Sequence, residues 1–241
     1  MVKNNIVLMS GMGQRFKDKG FKTPKPLINL NGKTITENVI DNFPECDKWI
    51  FTVNREVYEN EKFINFYNNF NFDKKIFLLE KVTNGQATSC LKALELLPDG
   101  EDFFIGSCDA IFQNKIILKD FSTIDGLIFT TFPEKHHIDN STNYGWVVGK
   151  KNINDIKCKK APASFKDSYL ISGSFYFKNK SIYQKIYDEM VDKKMYINNE
   201  LYIDTMFKVL FLNKRKIQNY IVPTNIIGTP EEYEKYLISN D

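Results

Sequence analysis

The sequence is short of the residues that acid–base and metal chemistry most often use. It has two histidines, and they are adjacent, at positions 136 and 137. There is no HExxH stretch and no nucleophile elbow, so the usual zinc-protease and serine-hydrolase signatures are both missing. The four cysteines, Cys46, Cys90, Cys108 and Cys158, are far apart and form no CxxC pair. That argues against a zinc site and a disulfide framework, and fits a reducing cytoplasm. No apolar run approaches the roughly 18 residues of a membrane span, and the N-terminal run lacks a signal-peptide core. Charge is not in excess either: 33 Lys and Arg against 30 Asp and Glu leave +3. A general nucleic-acid binder carries a strong basic field, so recognition of an anion must come from local placement. Neither an internal repeat nor a Pro-, Gly- or Ser-rich linker divides the 241 residues, which therefore read as one domain.

What is present is an alternation. Asn5–Met9, Lys48–Asn54, Lys75–Glu80 and Asp102–Ala110 read as buried strands. Between them, Thr34–Asn42, Glu56–Phe70 and Gly85–Leu97 read as helices, with Thr34 and Glu37 at capping-box spacing. Strand alternating with helix implies a doubly wound, mostly parallel mixed sheet with both faces covered. Ligands of such sheets sit beyond the carboxyl ends of the strands. After about Phe112 the pattern changes to the strand-like segments GLIFTTF, YGWVVGK, DSYLISGSFYFK and KIQNYIV. Helices are expected at Ser181–Lys194, Asn199–Leu212 and Pro230–Leu237. This second half is expected to build over the carboxyl edge of the sheet. Its amphipathic helices leave a homodimer open, although such faces usually meet the core.

The most informative stretch is SGMGQRFKDKGFKTPKPL, Ser10–Leu27, directly after the first strand. Gly11 and Gly13 let backbone N–H groups approach a ligand closely. Arg15 offers a planar fork to phosphate oxygens. Lys25 is presented between Pro24 and Pro26, which restrict the backbone around it. The pattern reads as a triphosphate cradle; a solvated lysine-rich loop is the plain alternative. It is not a Walker A loop, which needs GK[ST] after its glycines. Nor is it the dinucleotide fingerprint, which needs Gly or Ala where Phe16 stands.

The stretch resembles the GxGxRF…PKPL signature of the nucleotidyltransferases of the sugar-phosphate pyrophosphorylase family. INLNGKTITENVIDNF, Ile28–Phe43, continues the likeness, which returns at NNELYI (Asn198–Ile203) and GTPEEYEKYL (Gly228–Leu237). The resemblance implies a Rossmann-like fold with a nucleotide-binding half, residues 1–112, and an acceptor-binding half, residues 113–241. It implies transfer of a nucleoside monophosphate from an NTP to a phosphorylated small molecule, with pyrophosphate released and Mg²⁺ as cofactor. The backbone of Gly11 and Met12 and the Arg15 side chain are then expected to hold the β- and γ-phosphates, with Lys25 at the α-phosphate and Met9, Ser10 and Gly13 also in the nucleotide site. Gly85 and Gln86, in NGQATS, are expected near the base; their plain alternative is a helix start. Asp109, in SCD, is the expected metal ligand, and Cys108 beside it is expected at the nucleotide as a small packed residue rather than a nucleophile. Arg15, Lys25 and Asp109 are the expected catalytic groups.

The family's second metal-binding aspartate is replaced here by Ile226, two residues before GTP. Glu200 is the substitute expected, on one helical face with Asp204; a solvated helix face is the alternative. Tyr144, Lys160, Gly173 and Glu200 are expected at the acceptor, Lys160 or Lys159 replacing the lysine of the family's EKP segment. His136 and His137 are expected in an exposed loop. With Ile226 and no EKP, the pattern is similar to capsule-associated members of the family. That implies CTP and L-glutamine phosphate as substrates and CDP-L-glutamine as product, with sugar 1-phosphates and phosphocholine as other acceptors. A glycosyltransferase of related fold usually carries a DxD motif, and SCDA has one aspartate.

Overall fold

The structure, a computed structural model, describes residues 1–119, 121, 123–150 and 152–239. The chain runs β1 (Val2–Met9), α1 (Gln14–Asp18), β2 (Asn29–Leu30), β3 (Lys33–Thr34), α2 (Ile35–Ile40), β4 (Cys46–Asn54), α3 (Arg55–Tyr58) and α4 (Glu61–Asn69). It continues through β5 (Lys74–Leu79), α5 (Gln86–Ala93), β6 (Phe103–Ser107), β7 (Ala110–Phe112), β8 (Gly126–Thr131), α6 (Lys135–Asp139), β9 (Trp146–Val148) and β10 (Asp155–Lys157). Last come β11 (Ser168–Phe177), α7 (Lys180–Asp192), α8 (Ile203–Leu212), β12 (Ile217–Ile221), β13 (Thr224–Ile226) and α9 (Pro230–Ser239). Among the described residues no helix is long and apolar enough to cross a membrane.

One mixed sheet has the order β10-β9-β11-β6-β1-β4-β5, with β8 beside β11 and β12 beside β8. β6, β1, β4 and β5 are parallel to one another. β11 joins antiparallel between β6 and β8. β1 lies at the centre and is apolar on both sides because both sides are covered. Val7 and Met9 enter one core with Phe43, Phe51 and Phe104. Ile6 and Leu8 enter the other with Cys90, Phe175 and Phe207. The second half therefore does more than cover an edge: it supplies the antiparallel side of the same sheet. Its segments 134–144, 198–202 and 224–232 then fold over the carboxyl ends of β1 and β6.

The capping box at Thr34 forms as its spacing implies: Glu37 N donates to Thr34 Oγ1 at 3.2 Å, and Thr34 N to Glu37 Oε2 at 2.7 Å. Two expected helices change. The span 56–70 breaks in two, because the Asn60 side chain accepts from Lys62 N and caps α4. The aromatic stripe still packs as expected, with Phe63, Phe66, Tyr67 and Phe70 on Phe51. The helix expected from Asn199 begins only at Ile203. Asn198 and Asn199 both take left-handed backbone, φ 52° and 63°, and turn the chain between mutually bonded Ile197 and Glu200. Asparagine tolerates that conformation better than most residues. Glu200 and Asp204 therefore do not share a helical face; Glu200 stands on a turn ahead of the helix.

Candidate active site

Four parallel strands deliver their carboxyl ends to one cleft of about 470 Å³. Its lining includes Ser10–Phe16, Lys25, Asn54, Lys81–Thr83, Gly85, Gln86, Ser107–Asp109, Glu200 and Gly228. Ser10, Gly11, Met12, Gly13, Arg15, Lys25, Gly85, Gln86, Cys108, Asp109 and Glu200 thus meet in one place, although they are spread over 190 positions of sequence.

The glycine loop is shaped by its second glycine. Gly13 takes φ 63° and ψ 28° and caps α1. The buried Phe16 anchors that short helix and leaves Arg15 exposed at the cleft mouth. Gly11 is different: a Cβ there would meet nothing within 4 Å. Its backbone is open toward the cleft.

Lys25 opens a short 3₁₀ turn between Pro24 and Pro26, with Pro26 and Leu27 buried below it. Its side chain, only 12% exposed, points inward. Nζ bonds Asp109 Oδ2 at 2.5 Å and Gly228 O at 3.4 Å, and lies 5.4 Å from the Phe16 ring centre. Asp109 stands just past β6. Its second oxygen, Oδ1, accepts from Ser107 Oγ, and its carbonyl accepts from Ile227 N at 2.7 Å. Both carboxylate oxygens thus already have protein donors, one of them a cation. Gly173 lies behind this group: β11 shifts register between Ile171 and Phe175, and a Cβ on Gly173 would come within 3.2 Å of Ser107 Cβ. Burial, with the Asp109 charge added, pushes the Cys108 thiol up to about 12. A thiol so raised stays protonated, as expected of a packed residue.

Across the cleft, Gly85 caps α5 with φ 125° and ψ 174°. Leu201 pairs with its flanks: Leu201 N donates to Asn84 O at 2.7 Å, and Ala87 N to Leu201 O at 3.0 Å. The Gln86 loop and the Glu200 turn are therefore one backbone unit.

Besides Gly173, three residues expected here take other places, and His137 leaves its expected loop. Met9 is fully buried in the core; strand alternation turns Leu8 to the cleft instead. Tyr144 lies in an adjoining cavity of about 890 Å³ that shares Arg15 with the cleft. Its hydroxyl donates to Glu232 Oε1 at 2.9 Å. Lys160 is exposed and lines no part of the cleft. Lys159 takes the inner position, donating to Asn143 O and lying over the Tyr202 ring. His137 is not in an exposed loop: α6 buries it to 4% exposure. Burial, with His137 beside it, holds His136 below its ordinary pKa.

Sequence reasoning missed Asn54, Thr83 and Glu232, and placed Ser107 at the sheet edge without giving it a role. Asn54 had a signal, since it ends a parallel strand; its Nδ2 donates to Ser10 O at 3.3 Å and braces the glycine loop. Ser107 had one too, two residues before Asp109 in SCD.

Residues 5–123 match the MobA-like NTP transferase domain. The chain is 26% identical over 178 residues to the "Bifunctional protein GlmU" of Methanococcus aeolicus, covering 73% of this chain and 40% of that protein. It thus spans about two fifths of the length of that relative. The nucleoside-diphosphate-sugar pyrophosphorylase from Vibrio cholerae RC9 superposes with a TM-score of 0.78 at 22% identity, over 97% of this chain and 99% of that one. The inositol-1-phosphate CTP transferase from T. maritima superposes with a TM-score of 0.72 at 15% identity, over 98% and 95%. These likenesses establish the nucleotidyltransferase fold.

Proposed function

From the match of residues 5–123 to the MobA-like NTP transferase domain, we propose that the chain transfers the nucleoside monophosphate of an NTP to a phosphorylated small molecule. An acceptor phosphate oxygen attacks the α-phosphorus in line. The new O–P bond forms as the bond to the bridging oxygen breaks, and the electron pair leaves with pyrophosphate. No side-chain nucleophile is needed, so the protein's work is positioning and charge stabilisation. One observation carries the reading: Lys25 and Asp109, 84 residues apart, meet beside the glycine loop at the carboxyl ends of β1 and β6.

In this reading the N–H groups of Gly11 and Met12 and the Arg15 guanidinium hold the outer phosphates. Lys25 faces the α-phosphate, and Gln86 the base. Asp109 and Glu200 are hard oxygen donors in the same cleft, a set that suits Mg²⁺ alongside phosphate and water; they would hold it. Bound there, Mg²⁺ neutralises charge on the phosphates. The cleft's first-half walls take the nucleotide, and its second-half wall, around Glu200, takes the acceptor.

For the substrates we favour CTP and L-glutamine phosphate, in capsule or surface-polysaccharide synthesis. An inositol-1-phosphate CTP transferase shares this fold, as do a glucose-1-phosphate thymidylyltransferase and a UDP-glucose pyrophosphorylase, so the base is decided by assay. A zwitterionic acceptor needs a carboxylate for its ammonium and a cation for its carboxylate. Glu200 supplies the first. Lys159, not Lys160, is the cation on that side, next to Tyr202. The test is pyrophosphate release from CTP, UTP, GTP and ATP, each with phosphoglutamine, phosphocholine and hexose phosphates. CTP with phosphoglutamine is expected to turn over. Release only with a hexose 1-phosphate rejects this acceptor, and release with no pair rejects the transfer itself.

The cradle makes a separate prediction. Gly11→Ala meets open space at ordinary φ, so its stability should stay within about 0.5 kcal/mol of the parent. The methyl group stands where phosphate oxygens must approach the backbone. Nucleotide affinity is expected to fall by about tenfold, the value of a weakened charge-assisted hydrogen bond. Titration calorimetry with a non-hydrolysable NTP, beside urea unfolding, checks both halves.

A further inference from the structure

Glu232 is a carboxylate with a 5% exposed side chain on the first turn of α9. Its Oε2 accepts from Gly228 N and Thr229 N, each at 2.8 Å. Its Oε1 accepts from Tyr144 OH at 2.9 Å and is faced by His136 Nε2 at 3.7 Å and His137 Nε2 at 3.6 Å. By distance alone these side chains could hold a metal ion. The protons say otherwise. His137 Nδ1 accepts from Glu134 N at 3.0 Å, so a neutral ring carries its hydrogen on Nε2, aimed at Glu232. A metal ligand needs a lone pair at that atom. The histidines and the tyrosine therefore surround an anion. Burial pushes the Glu232 carboxyl up, but the facing His137 and the hydrogen bond from Tyr144 outweigh it and hold it below the usual range.

The group that this anion grips borders the cleft. Gly228 O accepts from Lys25 Nζ. A Cβ on Gly228 would stand 3.9 Å from Asp109 Oδ2. Ile227 N donates to the Asp109 carbonyl, and β13 pairs with β7, which starts next to Asp109. Glu232 thus sits one layer behind the Lys25–Asp109 pair and reaches it through a single turn of backbone.

We propose that Glu232 is a positioning residue for nucleotidyl transfer. Held by the Tyr144 hydroxyl and flanked by His136 and His137, it locks the Gly228–Thr229 turn, and the Gly228 carbonyl aims Lys25 at the reacting phosphorus. The proposal rests on the role given to Lys25 above. A misplaced Lys25 costs rate more than ground-state nucleotide binding, which the glycine loop and Arg15 supply.

The test is a double-variant cycle with E232Q, K25M and K25M/E232Q, using the substrate pair that the parent turns over. E232Q is expected to lower kcat by roughly 10- to 100-fold, the cost of about 1 Å of misplacement. Its KM for the nucleotide is expected to stay within about twofold of the parent, as befits a group that acts only in the transition state. The double variant should be no slower than K25M alone, since Glu232 has no lysine left to aim. Losses that multiply, or a raised KM at unchanged kcat, overturn the proposal. A fully active K25M overturns instead the role of Lys25, and a parent inactive with every pair overturns the transfer. If E232Q does not fold, Y144F, which removes one donor to the same carboxylate, takes its place in the cycle under the same expectations of sign.

Discussion

Lys25→Met is expected to lower kcat by about 10²- to 10³-fold, the largest loss from any single side chain of the cleft. The size follows from the environment. Lys25 is 12% exposed, set between two prolines and stacked near Phe16. Its charge therefore meets developing phosphate charge with little water between, where one such contact contributes about 3–4 kcal/mol. Methionine keeps the length and the packing on Phe16, so the loss reports charge rather than collapse. A second readout needs no substrate. Lys25 competes with any cation for Asp109 Oδ2, to which it is bonded at 2.5 Å. Removing it should tighten Mn²⁺ binding to the nucleotide-free chain, followed by paramagnetic resonance, and D109N should abolish that gain. Parent-like turnover by K25M would remove Lys25 from the chemistry. Unchanged Mn²⁺ affinity would remove Asp109 from the metal site.

The parts of this cleft that were legible in the sequence are those where local chemistry and tertiary placement agree. Gly11, Gly13, Arg15 and Lys25 lie within 16 positions of the end of β1, and SCD closes the fourth long strand. A strand carboxyl end followed by glycine or aspartate is a local event with one common geometry. Thr34 and Glu37 cap each other for the same reason. The misreadings arise where the decision is not local. Residues 56–70 keep one aromatic stripe, so periodicity hides the Asn60 cap between two helices. Asn198 and Asn199 precede a strong helix and read as its start, yet both are left-handed. Met9 and Leu8 are equally apolar, and composition does not say which side of a doubly buried strand meets the cleft. Tyr144, His137 and Glu232 are the extreme case. Their contacts span some 90 positions, and a pair of histidines in a polar segment gives no sign that a buried carboxylate waits on the last helix.

Gly85→Ala is the second large effect, and it falls on the fold and the site together. At φ 125° and ψ 174° the backbone is in a region essentially reserved for glycine, costing any other residue about 1–3 kcal/mol. The added Cβ would lie 2.5 Å from Leu201 O and 2.7 Å from Leu201 N. These are backbone atoms, so no rotamer change relieves the contact. Leu201 must retreat, and the bonds it makes to Asn84 O and from Ala87 N open with it, at about 1 kcal/mol each. Destabilisation of about 3–5 kcal/mol is therefore expected, seen as a lower urea midpoint with little change in slope. Gly11→Ala, in open space, is the neutral control. The functional consequence follows from chain order. Glu200 precedes Leu201, and Gln86 follows Gly85, so the clash drives apart the wall assigned to the base and the wall assigned to the acceptor. Any Gly85→Ala protein that folds at low temperature should bind the nucleotide weakly and lose turnover more than Gly11→Ala does. A parent-like midpoint would mean that Leu201 does not pack on Gly85, and that the two halves of the cleft are not joined there.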